Sequence, residues 1–298
     1  MAETVVVTGG QGFVGRHLVR ELGEAAVTPE LDVTDADAVR RVLRGSEADA
    51  VVHLAALSHV AESWVDPAAV WIVNAVGTVN VLDGVRRERP GARVLVVSTG
   101  EVYGRASILP TPEDAPVQPV SPYAASKAAA EVAATQAASA GLDVVIVRAF
   151  QHEGPGRDER FAIGSWTLQL AELELAGGGV LKVGNLAAER DITDVRDVCR
   201  AYRLLLDRSV AAGVYNLASG RVVSLERVLE KLLALVDAPI EVERDPARMR
   251  PVDLPVVWGD ASKLRRATGW EPRIALEQTL RDTLEEARLA VRTGKMPR

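Results

Sequence analysis

Thr4-Val5-Val6-Val7-Thr8-Gly9-Gly10-Gln11-Gly12-Phe13-Val14-Gly15 is the stretch whose reading decides the fold. The β-branched run Thr4 to Thr8 has no polar alternate positions to turn towards water, which is the pattern of a strand buried on both faces in a parallel sheet. Glycines follow at once, and Phe13 to Leu22 then shows the spacing of an amphipathic helix. Strand, glycine turn and helix together form a phosphate cradle: backbone comes close to a pyrophosphate where side chains are missing, and the helix N-terminus favours its charge. The glycines fit Gly10-x-Gly12-x-x-Gly15 or Gly9-x-x-Gly12-x-x-Gly15, and the second, which starts directly after the strand, is preferred. The plain alternative is a tight turn that needs positive φ.

Downstream, a dinucleotide fold places an acid about 20 residues beyond the glycines, on the adenosine ribose. Here the second strand shrinks to Val27-Thr28-Pro29 with neither an acid nor an arginine at its end, so NAD and NADP are not separated. Arg16 reads as a solvated arginine or as a contact to a 2′-phosphate. Asp32-Val33-Thr34-Asp35 opens another turn, which caps a short helix from Ala36 to Leu43. Asp49 to Ala56 is the next strand, ending in the small residues Leu54-Ala55-Ala56, and its His53 reads as a satisfied core histidine. Asp66-Pro67 opens a long helix to about Arg87, on which Asn74 is the polar residue that stands out. Ala92 to Thr99 forms a fourth strand and delivers Ser98, Thr99 and Glu101 to its carboxyl end, where open α/β sheets bind ligands.

After a proline-rich loop, Ser121-Pro122-Tyr123-Ala124-Ala125-Ser126-Lys127 has an N-cap serine and a first-turn proline, so a helix starts here. Tyr123 and Lys127 then share one face, one turn apart. A phenol ordinarily titrates near ~10, and a neighbouring cation favours the phenolate. Alone the pair is a common helix pattern. Behind a dinucleotide turn it describes a hydride-transfer site on a carbonyl: Thr99 and Tyr123 hold the oxygen, while Lys127 tunes the phenol and holds a ribose.

With 298 residues, 48% apolar and 26% charged, the composition is that of a globular chain large enough for two lobes. A net charge of −6 and a pI near 5.4 argue against nucleic acid or an anionic membrane as partner. Cys199 is the single cysteine, which excludes an intrachain disulfide and fits a reducing, cytoplasmic compartment. No leader or membrane span is expected, and no metal site is read.

Several elements resemble the extended short-chain dehydrogenases/reductases of the nucleotide-sugar epimerase and dehydratase group: Thr8-Gly9-x-x-Gly12-Phe13-x-Gly15, Asp32-Val33, Leu54-Ala55-Ala56, Asn74 with Gly77-Thr78-x-Asn80, Ser98-Thr99-x-Glu101-x-Tyr103-Gly104 and Tyr123-x-x-x-Lys127. The resemblance implies an α/β fold, a Rossmann-like doubly wound sheet of about seven parallel strands over residues 1–160. A smaller C-terminal α/β substrate domain would follow over 161–298, with a strand near 213–217 returning to the sheet. It further implies NAD or NADP bound through Gly9, Gly12, Phe13, Val14, Gly15, Asp32, Val33, Leu54, Ala55, Ala56, Asn74, Tyr123 and Lys127. A homodimer would form through a four-helix bundle of the helices that start at Pro67 and Pro122. Gln151-His152-Glu153-Gly154-Pro155-Gly156 resembles the group's substrate turn, with Gln151 in place of its usual Asn.

Gly184 to Asp197 matches the group's R-D-x-x-x-V-x-D element and makes Arg190 a candidate for the substrate diphosphate. Arg250-Pro251-Val252-Asp253-Leu254-Pro255 resembles the R-P-x-[DE]-x-P element of GDP-sugar enzymes, in which the arginine takes the diphosphate and the acid a ribose. The implied activity is NAD(P)H-dependent reduction of a GDP-4-keto-6-deoxyhexose, with Thr99, Tyr123, Lys127 and Glu101 as catalytic residues and Glu101, Gln151, Arg190, Arg250 and Asp253 on the substrate. Dehydration of a GDP-mannose-type sugar is the alternative, with Glu101 as its base, followed by 4-epimerisation. A non-catalytic cofactor-sensing protein is the alternative of another class, and the intact Tyr123–Lys127 pair speaks against it.

Overall fold

Residues 4–249 and 252–294 are described by the structure, a computed structural model of the chain. Along the chain the strands are β1 (Val5–Thr8), β2 (Ala26–Val27), β3 (Ala50–His53), β4 (Arg93–Thr99), β5 (Val144–Ala149), β6 (Gln151–Glu153), β7 (Gly179–Val183), β8 (Glu189–Asp194), β9 (Gly213–Leu217), β10 (Val222–Ser224), β11 (Ile240–Arg244) and β12 (Val256–Val257). The main helices are α1 (Phe13–Leu22), α2 (Ala36–Gly45), α3 (Val60–Val65), α4 (Pro67–Trp71), α5 (Gly77–Glu88), α6 (Pro122–Ser139), α7 (Ala162–Ala176), α8 (Val195–Leu205), α9 (Leu225–Leu233), α10 (Ser262–Thr268) and α11 (Leu276–Thr293).

The central sheet runs β2-β1-β3-β4-β5-β9, and every pairing in it is parallel. Chain order reverses between β1 and β3, which makes their carboxyl ends the place where a crevice opens. Alternate residues feed opposite cores. Val5, Val7, Val52, Leu95 and Val147 meet α1 and α8 on one face, while Val6, Val51, Val94, Val96 and Ile146 meet α2, α5 and α6 on the other. Burial on both faces is why these strands read as unbroken apolar runs. Six strands stand where about seven were expected, and β2 is only two residues long. Beyond it the chain turns early, the Asp32 carboxylate accepting from Thr34 N and Oγ1 at 2.9 and 2.7 Å.

The second half is built around α7, α9 and α11, whose apolar faces share one core. Small sheets flank it: β11 with β7, and β10-β8-β12 with β6 paired to β8. Because β6 follows β5 almost directly, the turn at Gln151 joins the central sheet to this lobe. The returning segment is longer than the expected strand. Alongside β9, residues Val195, Val198, Tyr202 and Leu205 of α8, together with Leu264 and Trp270, complete the first core.

Pro67–Glu88 is one continuous helix through a π-helical stretch, Ile72–Val76, with Asp66 accepting from Ala69 N at 3.0 Å as its cap. At 22 residues and a mean hydropathy of 1.4 it has the length and composition of a membrane span. One side nevertheless packs on α2 and α6, as a helix of the sheet's outer layer does. Its other side leaves Trp71, Ile72, Val76 and Val79 exposed.

Candidate active site

The floor of the site is the glycine turn. Gly9 sits at φ +73°, in the left-handed region that glycine enters without a Cβ penalty. A Cβ on it would lie 2.7 Å from Ala55 N, and one on Gly15 would lie 2.3 Å from Gly9 O. Gly12 N donates to Gly9 O at 3.0 Å, so the three glycines close on one another. No side chain caps α1. This side-chain-free cradle at a helix start fits a dinucleotide pyrophosphate.

Above it opens a cleft of about 670 Å³. Gly9, Gly12, Phe13, Val14, Gly15, Leu54 and Ala56 line one part. Thr99, Glu101, Tyr123, Lys127, Gln151, Arg190 and Asp253 line the rest. Asp32, Val33, Ala55 and Asn74 stand outside that lining. Val33 is buried against Gly77, and Asp32 is held in its own exposed turn. Arg250 lies outside the described residues.

Ser121 Oγ accepts from Ala124 N at 3.1 Å and Pro122 occupies the first turn of α6, so the local rules for a helix start place Tyr123. Burial chiefly, then the Glu101 carboxylate, push the phenol above its ordinary value; the Thr99 hydroxyl and Arg157 oppose them. Lys127 is turned into the sheet, donating to Val97 O at 2.8 Å. Burial lowers its ammonium to about 8, with Glu131 resisting. Burial is thus the largest influence on the phenol, and the Lys127 ammonium is anchored at a carbonyl without losing its charge.

Beneath Lys127, Glu131 accepts from the Ser98 hydroxyl and is forked by Arg148 at 2.7 to 3.1 Å. Arg148 Nη1 also donates to Tyr103 Oη at 2.8 Å. These bonds fasten α6 to β4 and β5.

His53 is a satisfied core residue, and its partners fix its tautomer. Thr78 Oγ1 donates to Asn74 O at 2.6 Å, so it accepts from His53 Nε2–H at 3.1 Å. Nδ1 then accepts from Thr8 Oγ1 at 2.7 Å. Burial, helped by the Lys127 charge, lowers His53 to about 3. Asn74 does not line the cleft; its amide grips Leu57 N at 2.8 Å and Leu57 O at 3.0 Å and reaches Ser126 Oγ at 2.9 Å. Ser126 in turn donates to Tyr123 O at 2.7 Å. The end of β1 is thus joined to the Tyr123 turn by an unbroken run of bonds.

In another part of the cleft, Arg190 is buried and pairs with Asp253 at 2.7 Å while donating to Leu254 O at 2.8 Å. Asn185 holds the other Asp253 oxygen at 2.6 Å. Arg248, not assigned from the sequence, lines the cleft, donates to Ser165 Oγ at 2.8 Å and keeps its side chain 38% exposed. Arg157 was missed as well; a basic residue directly after the Gly154-Pro155-Gly156 turn was the available signal. His152, stacked on Phe13 with ring centroids 6.2 Å apart, is lowered to about 4 by burial.

Residues 24–283 match the family model for GDP-mannose 4,6 dehydratase. The chain is 36% identical to the GDP-6-deoxy-D-mannose reductase of Pseudomonas aeruginosa, covering 98% of this chain and 99% of that one. It is 27% identical to the GDP-6-deoxy-D-talose 4-dehydrogenase of Aggregatibacter actinomycetemcomitans, covering 96% and 98%. Among solved structures, Pseudomonas aeruginosa RMD complexed with NADPH superposes with a TM-score of 0.88 at 33% identity, covering 96% of this chain and 99% of that one. Similarity to these relatives thus runs over nearly the full length, and the chain belongs to the GDP-mannose 4,6-dehydratase family of extended short-chain dehydrogenases/reductases.

Proposed function

We propose that the protein reduces a GDP-4-keto-6-deoxyhexose to a GDP-6-deoxyhexose with NADPH or NADH. The observation that carries this reading is the meeting of Tyr123, Thr99 and Glu101 with the glycine cradle in one cleft whose far side holds Arg190, Asp253 and Arg248. It agrees with the activity named for the Pseudomonas relative. When bound, the cofactor supplies a hydride to the sugar C4. Thr99 Oγ1 holds the C4 oxygen, and Tyr123 gives it a proton. A phenol kept protonated by burial suits a proton donor. Lys127 holds the cofactor ribose from below, anchored at Val97 O. Gln151 orients the sugar. Arg248, with Arg250, takes the diphosphate, and Arg190 presents Asp253 to a ribose.

Glu101 supports a second reading, 4,6-dehydration of a GDP-hexose, since a carboxylate beside Tyr123 can remove a carbon-bound proton. Purified protein given GDP-mannose alone, and then a GDP-4-keto-6-deoxyhexose with NADPH or NADH, separates the two. Loss of reduced cofactor only in the second mixture is expected. A 4-keto product from GDP-mannose alone would select the dehydratase, and cofactor binding without either reaction would select a sensing role.

Residues 1–160 serve in this reading as the cofactor domain and 161–298 mainly as the substrate domain. The exposed Trp64, Trp71, Ile72, Val76 and Val79, with Val132 of α6, suit burial against a second copy in a four-helix dimer. A cytoplasmic setting agrees with one buried, unpaired cysteine.

A further inference from the structure

Gln151 and Glu153 stand on one face of β6, since side chains alternate along a strand. Parallel pairing with β8, Gln151 to Ile192 and Glu153 to Asp194, fixes their register. Gln151 lines the cleft, whereas Glu153 is fully buried. Ala149, at the end of β5, is paired with Thr99, so the Gln151 arm enters the cleft beside the end of β4.

Each Glu153 oxygen meets a donor. Gln151 Nε2 donates to Oε1 at 3.0 Å, and the Arg157 guanidinium pairs with Oε2, its Nε standing 3.2 Å away. The guanidinium is itself held, its carbon 3.6 Å from the centroid of the Phe161 ring and 4.9 Å from that of Phe13. Burial works against charge on Glu153, while Arg157 and then Gln151 favour it. A carboxylate beside a guanidinium accepts and has no proton to donate, so the nitrogen end of the Gln151 amide faces it. The oxygen end is left to the cleft, and among the described residues it accepts no hydrogen bond from the protein.

We propose that Glu153 is a positioning residue: it holds the Gln151 amide so that Oε1 is a fixed acceptor in the cleft, where it takes a hydrogen bond from a ring hydroxyl of the hexose. With C1 joined to the diphosphate, C4 a ketone and C6 a methyl group, the hydroxyls left on the ring are those at C2 and C3. A fixed acceptor favours O–H and repels a group that offers only lone pairs, so Gln151 selects a hydroxyl over a fluorine or a second ketone. This assignment deepens the proposed reduction and rests on the hexose occupying this cleft.

Two readouts test it. The first needs no substrate: in protein with isotope-labelled glutamine, exchange of the Gln151 side-chain N–H protons with solvent is followed by NMR, the signals being assigned by their loss in Gln151→Leu. Glu153→Gln keeps the length of the arm but ends it in an oxygen and an NH2. Arg157 claims that oxygen, and Gln151 turns its own oxygen to the NH2 and its nitrogen to the cleft. Exchange is expected to become about tenfold faster, as one hydrogen bond to a charged group is lost.

The second readout is calorimetric binding of a GDP-6-deoxyhexose and of its 2-deoxy-2-fluoro and 3-deoxy-3-fluoro analogues. In the unaltered protein one fluoro analogue is expected to bind about tenfold more weakly than the hydroxyl ligand, and its position names the hydroxyl. In Glu153→Gln the ratio falls to within about threefold, because an N–H donor tolerates fluorine. Glu153→Asp, which keeps the charge on a shorter arm, gives an intermediate ratio and serves where the Gln variant does not fold. An equal loss of affinity for all three ligands, which marks a merely structural role, overturns the proposal. So does exchange that Glu153→Gln leaves unmoved in a folded protein; if the 4-keto sugar is still reduced, either result overturns this proposal alone. Faster exchange in a protein that binds no GDP-sugar would leave the hold of Glu153 on Gln151 standing and overturn the hexose contact together with the proposed reaction.

Discussion

The glycine turn at the end of β1 and the Arg190–Asp253 pair face the same cleft by different means. The turn has no side chains to offer. Its shape comes from backbone contacts as short as 2.3 Å to a would-be Cβ, and it suits a pyrophosphate without presenting any formal charge. The pair belongs to the lobe that follows, where guanidinium and carboxylate satisfy one another and Asn185 and Leu254 O hold both in place. A backbone cradle tolerates no added atom, whereas a side-chain lattice tolerates no missing charge. Substitutions on the two sides should therefore fail differently.

The largest effect is expected between them, at Tyr123. Tyr123→Phe removes the proton donor and should lower kcat by about 10²–10⁴ while cofactor affinity stays within a few-fold, read by steady-state kinetics and fluorescence titration of NADPH. Retained turnover would take Tyr123 out of its role.

On the substrate side, Arg190→Ala leaves Asp253 facing Asn185 alone. Breaking a fully buried pair costs about 3–5 kcal/mol. With Asp253 20% exposed the loss should fall below that range in chemical denaturation, accompanied by weaker substrate binding and unchanged NADPH binding. On the cradle side, Gly15→Ala drives a methyl into Gly9 O and should cost about 1–3 kcal/mol. Here cofactor affinity should fall first, with substrate-lobe stability intact. If the two variants lose the same ligand, the contrast between the sides is wrong.

Smallest is the acid response. His53 and His152 are buried with values lowered to about 3 and about 4, so below an ordinary histidine value near ~6.5 the unfolded chain takes up protons that the folded one refuses. Stability is unaffected above that value and falls as pH drops below it, by about 1.4 kcal/mol for each histidine at about pH 5.5. Denaturant melts at pH 7 and pH 5.5 check this, and His53→Asn should remove one share of the slope.

What could be read from the chain follows the same division. Local rules set the glycine turn, the Ser121–Pro122 helix start and the Asp66–Pro67 cap, since each depends on neighbours a few residues away. Thr99, Glu101 and Tyr123 could be placed together because strand ends of a parallel sheet share one edge. The state of Lys127 was not legible: its partner Val97 O lies 30 residues away in a strand, and no spacing rule says whether an ammonium turns to a phenol or to a carbonyl. Arg157 escaped for a similar reason. Its place is set by Phe13, Phe161 and Glu153, which converge on its guanidinium from different parts of the chain. The returning α8 and α10 were hidden because their apolar stripes show that they are buried, without saying in which core.

The most direct test of the central claim follows the hydride. The enzyme would be mixed with a GDP-4-keto-6-deoxyhexose and NADPH doubly deuterated at the nicotinamide C4, and the sugar examined by NMR and mass spectrometry. The account predicts one deuterium, at C4 of the sugar, for each cofactor oxidised. A 4-keto sugar recovered without deuterium beside a cofactor that keeps both labels would contradict it.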